Sequence, residues 1–405
     1  MAQSVEHFFE DFLKHKYIFA DKKVLQSNYT PKSISHRDAE LREIAAVLAP
    51  ALKRDRPSNL FVYGNTGTGK TLATRYVLQS MEGIAQKNSV PLRVLYVNCK
   101  LKKVADTEYR LIAQLARECG KVVPPTGLPT DQVYTFFYEL LDERQQLFIL
   151  ILDEIDQLVK RAGDNIIYNL TRINGELKHA QLSLIGISND LVFADHLDAR
   201  VRSSLSEEEI LFPPYNALQL QDILRDRAKR AFREGALTGG VIEKCAAYAA
   251  REHGDARRAL ELLRVAGELA ERKDCRYVEI KHLDEAEGKI DRDRLLDVTL
   301  NQPKQFQLVL YALLSFGARH SSPFTGEIYD IYERLCRRAK LRPLTQRRVS
   351  DIIAELDALG IVRARVISKG RYGRTRDVTL AIPHHELPHI KELLSKSLDI
   401  PHDLI

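Results

Sequence analysis

Eight consecutive residues, Gly64-Asn65-Thr66-Gly67-Thr68-Gly69-Lys70-Thr71, concentrate the most specific chemistry in the chain. They satisfy the pattern G-x-x-x-x-G-K-[ST] and lie between an apolar run, LFVYG (60–64), and a helix-compatible stretch, LATRYVLQSM. Glycines let such a loop curl until the N–H groups of residues 67–71 converge on phosphate oxygens, helped by the positive end of the following helix. Gly67, Thr68 and Gly69 would cradle the phosphates and Lys70 would reach the β- and γ-phosphates, while the Thr71 hydroxyl would ligate Mg²⁺. The cofactors this predicts are ATP or ADP with Mg²⁺.

Two strand ends complete the chemistry. In LFILILDEID (147–156) an apolar run delivers Asp153 and Glu154 to its C-terminal edge, where open α/β sheets bind ligands. Asp153 suits the Mg²⁺ shell, and Glu154 suits activation of a water for attack on the γ-phosphate. Alone, such a pair is an ordinary solvated strand end; downstream of a phosphate loop it gains meaning. In LSLIGISND (182–190), Asn189 follows another apolar run and is placed to orient the attacking water. Read alone, it is a turn residue.

These residues need a sheet to hold them. LFVYG (60–64), RVLYVN (93–98), LFILILD (147–153), LSLIGIS (182–188) and EEILF (208–212) alternate with helical stretches. Near-continuous apolar strands between helices predict a parallel sheet covered on both faces. From Asn216 the pattern becomes helical, with Asn216 and Thr238 as expected N-caps. The segment 100–146 is longer than one crossover helix needs and reads as two helices, TEYRLIAQLARECG and TDQVYTFFYELLDE, around VVPPTGLP.

Charge is unevenly placed. Residues 300–405 hold 17 Lys and Arg against 11 Asp and Glu, an excess equal to the +6 of all 405 residues. A polyanion-binding surface therefore belongs in the last quarter. There, helices are followed by a strand, a hairpin and a strand. In LTQRRVSDIIAELDALG, the residues Val349, Ile352, Ile353, Leu356 and Leu359 recur at helical spacing and should face a core. Arg342, Gln346, Arg347 and Arg348 then cluster near the helix N-terminus, where cations oppose the helix dipole. Stability alone favours Asp or Glu there; a recognition helix presents cations to phosphates and base edges. The hairpin SKGRYGRTRDVTL (368–380) adds Lys369, Arg371, Tyr372, Arg374 and Arg376 as a basic wing. A solvated charged face is the competing reading of any one of these residues; their concentration favours DNA.

Length predicts two or three domains, and composition is that of a soluble globular protein. No apolar run approaches a membrane span, and the charged start MAQSVEHFFEDFLKHKY does not suit a signal peptide. The five scattered cysteines lack a C-x-x-C pair, which argues against zinc or a disulfide framework and for a reducing, cytoplasmic setting.

The spacing of GNTGTGKT, ILDEID and GISND resembles that of the AAA+ ATPases. YTPKSISHRDAELREI (29–44) looks like the segment that encloses the adenine, LDARVRSSL (197–205) resembles the arginine-finger box, and GDARRALELL (254–263) resembles the second sensor of the helical lid. With the basic winged-helix tail, the set is similar to the archaeal origin-recognition initiators, relatives of the eukaryotic origin recognition complex. That resemblance implies an AAA+ P-loop base over 1–215, an all-α lid over 216–298 and a winged-helix domain over 299–405. It implies that Asn189 is the first sensor and Arg257 the second. Arg200, with Arg202 as the alternative, would be the finger offered to a neighbouring subunit, and Tyr215 and Arg227 further nucleotide contacts. It also implies double-stranded origin DNA and a replicative helicase as partners, self-assembly or pairing with a related initiator on DNA, and a nucleoid-associated location. Hydrolysis would be a slow switch, and the extra helix before the DE strand a wedge against duplex DNA. A P-loop transcriptional regulator with a winged-helix output is the alternative; it does not require the GDARRAL lid sensor or the extra helix. A clamp- or helicase-loading ATPase is disfavoured by the basic tail, and a motor helicase by the single ATPase core.

Overall fold

A computed structural model describes residues 18–27, 29–31, 33–100, 106–124, 127–316, 323–368, 374–382 and 386–400. The chain divides into two compact units, Met1–Leu283 and Asp284–Ile405.

In the first unit the strands are β1 (Leu60–Gly64), β2 (Leu92–Asn98), β3 (Leu147–Asp153), β4 (Gln181–Ser188) and β5 (Glu208–Phe212). They form one parallel sheet in the order β2-β3-β4-β1-β5. All five runs expected from the sequence are therefore strands. Strand β3 is buried along its whole length, as central parallel strands are. Its side chains part by period two: Phe148, Leu150 and Leu152 enter one core, Ile149 and Ile151 the other.

Helices α1 (Asp38–Leu48) and α2 (Lys70–Lys87) cover the second of those faces through Ile44, Leu48, Ala73, Val77, Leu78 and Met81. The first is covered by α3 (Glu108–Glu118), α4 (Thr130–Asp142), α5 (Ile155–Ala162), α6 (Asn165–Arg172) and α7 (Ala199–Leu205). The segment between β2 and β3 thus carries two helices. Both have an apolar stripe (Leu111, Ile112 and Leu115 on α3; Val133, Phe137 and Leu141 on α4) buried in the shared core. Between them Val122 is 91% exposed.

The lid consists of α8 (Ala217–Ala231), α9 (Val241–Arg251) and α10 (Ala256–Arg272). Asn216 caps α8 in a reciprocal capping box with Gln219. Thr238 does not cap α9; Gly240 does, at φ +85°, and the Thr238 hydroxyl instead donates to the Val278 carbonyl. A left-handed cap residue favours glycine over threonine, so the chain runs two residues further before the helix starts. Helix α11 (Ile280–Leu300) spans the boundary between the units.

The second unit holds α12 (Lys304–Leu314), α13 (Thr325–Arg338), α14 (Gln346–Ala358), the antiparallel pair β6 (Val362–Ser368) and β7 (Arg374–Leu380), and α15 (Leu387–Leu398). Val349, Ile352, Ile353 and Leu356 of α14 are buried with the apolar faces of α12, α13 and α15, as their spacing requires. Leu359 is not; it follows the last helical turn and is 42% exposed. The helix ends one residue before it, so the 3.6-residue period no longer fixes its direction.

Candidate nucleotide and DNA sites

The C-terminal ends of β1, β3 and β4 point to one edge of the sheet, and a cavity of about 470 Å³ lies there between sheet and lid. Gly67, Gly69, Lys70, Thr71, Asp153, Glu154, Asn189, Tyr215, Arg227 and Arg257 line it. Ten residues separated by up to 190 positions in sequence meet there, those of the sheet through its parallel topology and Arg227 and Arg257 through the lid helices.

Loop 64–69 folds tightly because its glycines take conformations other residues resist. Gly67 sits at φ +74°, and a Cβ there would lie 1.7 Å from the Asp255 carboxylate of the lid. The Gly67 carbonyl also accepts the Ala256 N–H at 3.2 Å, so the start of α10 rests on the phosphate loop. Thr68 is fully buried and absent from the cavity wall; its hydroxyl donates to Asn65 O at 2.9 Å, which leaves only its backbone for a ligand.

Lys70 opens α2 with its ammonium turned into the loop, donating to Gly64 O at 2.7 Å and Asn65 O at 2.8 Å. Burial pushes it down from 10.5 to about 8; Asp153 opposes that shift and Arg257 adds to it. A cation held only by carbonyls is poised to exchange them for an anion.

Next to it, the Thr71 hydroxyl donates to Asp153 Oδ2 at 3.0 Å. Asp153 is 5% exposed. It also accepts the Tyr96 hydroxyl at 2.7 Å and the Glu154 N–H at 3.0 Å. A hydroxyl and a buried carboxylate in contact at the cavity wall are hard oxygen donors of the kind Mg²⁺ selects, so the residues fit that ion. Glu154 adopts φ +56°, a left-handed conformation rare outside glycine, and its carboxylate lies 3.6 Å from Lys100 Nζ. Ser188, just before Asn189, is fully buried; its hydroxyl lies 3.4 Å from Asp156 Oδ1 and accepts the Asp190 N–H at 3.0 Å. This polar knot fixes the strand end that carries Asn189.

Across the cavity, Arg227 is 7% exposed, its guanidinium lies 4.6 Å from the Tyr29 ring, and its Nη1 has no hydrogen-bond partner among the described residues. Burial lowers its pKa. An unpaired buried donor at a cavity wall fits an anionic or hydrogen-bonding ligand. Tyr29, Thr30, Pro31, Ser33, Ile34 and Ser35 form the adjoining wall, where the sequence placed the adenine-enclosing segment.

Arg37 was not singled out by its pattern, yet it is 2% exposed and central. Its Nε donates to Thr68 O at 3.0 Å, its Nη2 donates to Pro213 O, Glu40 lies 2.7 Å from Nη1, and the Tyr215 ring lies 3.9 Å from the guanidinium. It ties the phosphate loop to the base–lid junction. Tyr96, which shares a face of β2 with Asn98, was also missed; both line the cavity.

Arg200 and Arg202 are elsewhere. Arg200 is 72% exposed on α7 and pairs with Asp198 at 3.1 Å, while Arg202 pairs with Asp195 at 2.9 Å; neither lines the cavity.

In the second unit Arg342, Gln346, Arg347 and Arg348 are exposed. Thr345 caps α14, its hydroxyl accepting the Arg348 N–H. The Arg348 side chain lies 3.2 Å from Glu355, on the outer face of the helix. Arg376 donates to Ser350 O at 2.6 Å and so braces β7 against α14. Lys369, Arg371 and Tyr372 lie outside the described residues, and Arg374 is described only in its backbone, paired with Ser368 at the end of the hairpin.

A P-loop sheet, a helical lid on its phosphate loop and a winged helix define a AAA-type ATPase with a DNA-binding-type tail. Family models match in the same order: an AAA domain over 53–192, a Cdc6 AAA+ ATPase-type lid domain over 221–288 and a CDC6 C-terminal winged-helix domain over 297–389. An ORC1-type DNA replication protein of Thermococcus onnurineus is 49% identical over 391 residues, covering 95% of this chain and 94% of its own length. An ORC1-type DNA replication protein 1 of Methanosarcina mazei is 50% identical over 385 residues, covering 94% of this chain and 92% of its own. Among solved structures, the Aeropyrum pernix ORC1 protein in complex with DNA superposes with a TM-score of 0.85 at 45% identity, over 94% of this chain and 98% of that one. The chain belongs to the ORC1-type DNA replication proteins of archaea, a family of replication initiators.

Proposed function

We propose that this protein is an ATP-switched initiator that binds origin duplex DNA through its winged helix and ATPase module. In this reading residues 1–215 form the base, 216–298 the lid and 299–405 the DNA-binding domain. The observation that carries it is the single cavity holding Lys70, Thr71, Asp153, Glu154, Asn189 and Arg257, in a chain that ends in a basic winged helix. The relative solved with DNA supports the second half.

Bound ATP with Mg²⁺ supplies the γ-phosphate whose presence or loss separates two states. Lys70 leaves the Gly64 and Asn65 carbonyls and donates to phosphate oxygens. Thr71 and Asp153 would hold the cation, which would neutralise phosphate charge, and Tyr215 and Arg227 contact the nucleotide. Glu154 accepts a proton from the attacking water, which Asn189 orients. Arg257, at the start of α10, carries the phosphate state into the lid. Arg200, or Arg202, reaches a neighbouring protomer or related initiator on DNA, which makes hydrolysis depend on assembly. Slow hydrolysis then times recruitment of the replicative helicase at the nucleoid.

Among the described residues no helix is long and apolar enough to cross a membrane. Gln346, Arg347 and Arg348 on α14, with Arg342 just before it, contact phosphates and base edges, and Lys369, Arg371, Tyr372, Arg374 and Arg376 of the hairpin sequence add further DNA contacts. The deciding experiment is footprinting on the source organism's own origin DNA with ATP and with ADP. Protection of a defined origin element that changes with the nucleotide supports the proposal. Equal binding to random duplex, unaffected by nucleotide, overturns it.

A further inference from the structure

Asp153 is a buried carboxylate whose hydrogen bonds among the described residues come from neutral donors: Thr71, Tyr96 and the Glu154 N–H. A threonine hydroxyl can ligate a cation through a lone pair while its hydrogen still donates to Asp153, so Thr71 itself belongs to the cation's surroundings. Two donors come from residues that need not touch the cation. The Glu154 N–H holds Oδ1 at 3.0 Å and the Tyr96 hydroxyl holds Oδ2 at 2.7 Å. Of these two, Tyr96 is the side-chain donor, and it comes from β2, the strand next to β3.

The ring itself is held. Leu95 and Val97 point into one core and leave Tyr96 on the opposite face of β2, against the other, and the guanidinium of Arg75, from α2, lies 4.9 Å from the ring centroid.

We propose that Tyr96 is a positioning residue for the divalent cation: its hydroxyl fixes the Asp153 carboxylate so that the remaining lone pairs face the metal. The inference rests on the reading of Thr71 and Asp153 as the cation's protein ligands. Partners of metal-ligating carboxylates set ligand direction and basicity, and their loss costs about 10- to 100-fold in metal affinity.

The test uses the full chain and a fluorescent ATP analogue. Its affinity is measured in excess EDTA and then during titration with MgCl₂. For Tyr96→Phe, which keeps the ring and removes the hydroxyl, the half-point in Mg²⁺ should rise about tenfold or more, beyond any change of affinity in EDTA. Arg75→Ala, on the exposed side of α2, frees the ring and should shift the half-point in the same direction by a smaller factor. It remains informative where Tyr96→Phe fails to fold. Thr71→Ala separates the two layers of the argument. A shift in Thr71→Ala with none in Tyr96→Phe or Arg75→Ala overturns the role of Tyr96 and leaves the metal site standing. No shift in Thr71→Ala overturns the metal-site reading and the inference with it. An equal loss for Tyr96→Phe in EDTA and in Mg²⁺ means that the hydroxyl serves the nucleotide and not the cation's ligand, and overturns the proposal.

Discussion

Lys70 provides a quantitative test of the phosphate site. Its ammonium moves from 10.5 to about 8 when buried against two carbonyls. A nucleotide's phosphates would hold it charged, so binding above pH 8 must take up a proton from solvent. At pH 7.5 about a quarter of Lys70 is neutral and uptake is about 0.25 proton; at pH 9.5 nearly all is neutral and uptake approaches about one. The same linkage weakens ATP affinity about 25-fold between those pH values. Calorimetric titration with Mg-ATP in buffers of different ionisation enthalpy reads the proton count directly. The Tyr96 and Tyr215 hydroxyls stay silent, because burial raises the pKa of each. Lys70→Arg, charged throughout, should show no uptake at whatever affinity it keeps. A wild-type uptake near zero at pH 9.5 with flat affinity would refute the reasoning: Lys70 would already be an ordinary ammonium in the free protein. For the free protein the sign also follows. The unfolded chain holds this proton more tightly than the folded one, so stability rises with pH from about 8 toward 10.5.

Two further predictions concern the arginines. Arg200→Ala should leave nucleotide affinity within about twofold, since the residue is exposed and paired with Asp198, and should lower hydrolysis only in the DNA-assembled state, by at least about tenfold; an equal loss in dilute, DNA-free protein would remove the in-trans role, and Arg202→Ala measured alongside identifies the finger. Arg347→Ala should weaken binding to an origin duplex by about 1–3 kcal/mol more than binding to random duplex, measured by competition at fixed salt; equal losses would make it a phosphate contact only.

Much of the fold was legible because its signals are local. The five parallel strands announce themselves as apolar runs, Asn216 by its capping partner three residues on, and Gly67 and Gly69 by their place in the loop. What was not legible depends on distant partners. Nothing near Arg37 in sequence shows that it will lie against Thr68 and Pro213, and Tyr96 meets Asp153 only because β2 and β3 pair in one particular register. Thr238 and Leu359 show the opposite limit. Each lies beside a helix end, where a shift of one or two residues changes a cap into a loop residue and a core residue into a surface one.

The contact between Gly67 and the lid has a temporal consequence. Because Asp255 fills the space a Cβ would occupy and Ala256 N–H reaches the Gly67 carbonyl, any anion seated on the loop lies beneath the start of α10. Lifting the lid from the loop breaks that hydrogen bond and the one from Tyr215 N–H to Gly254 O, each worth about 1 kcal/mol. On the proposed reading, backbone joints as well as phosphate contacts would then set how long a nucleotide stays. On that reading a spent nucleotide held longer would delay the next cycle, so the lid would act as a timer.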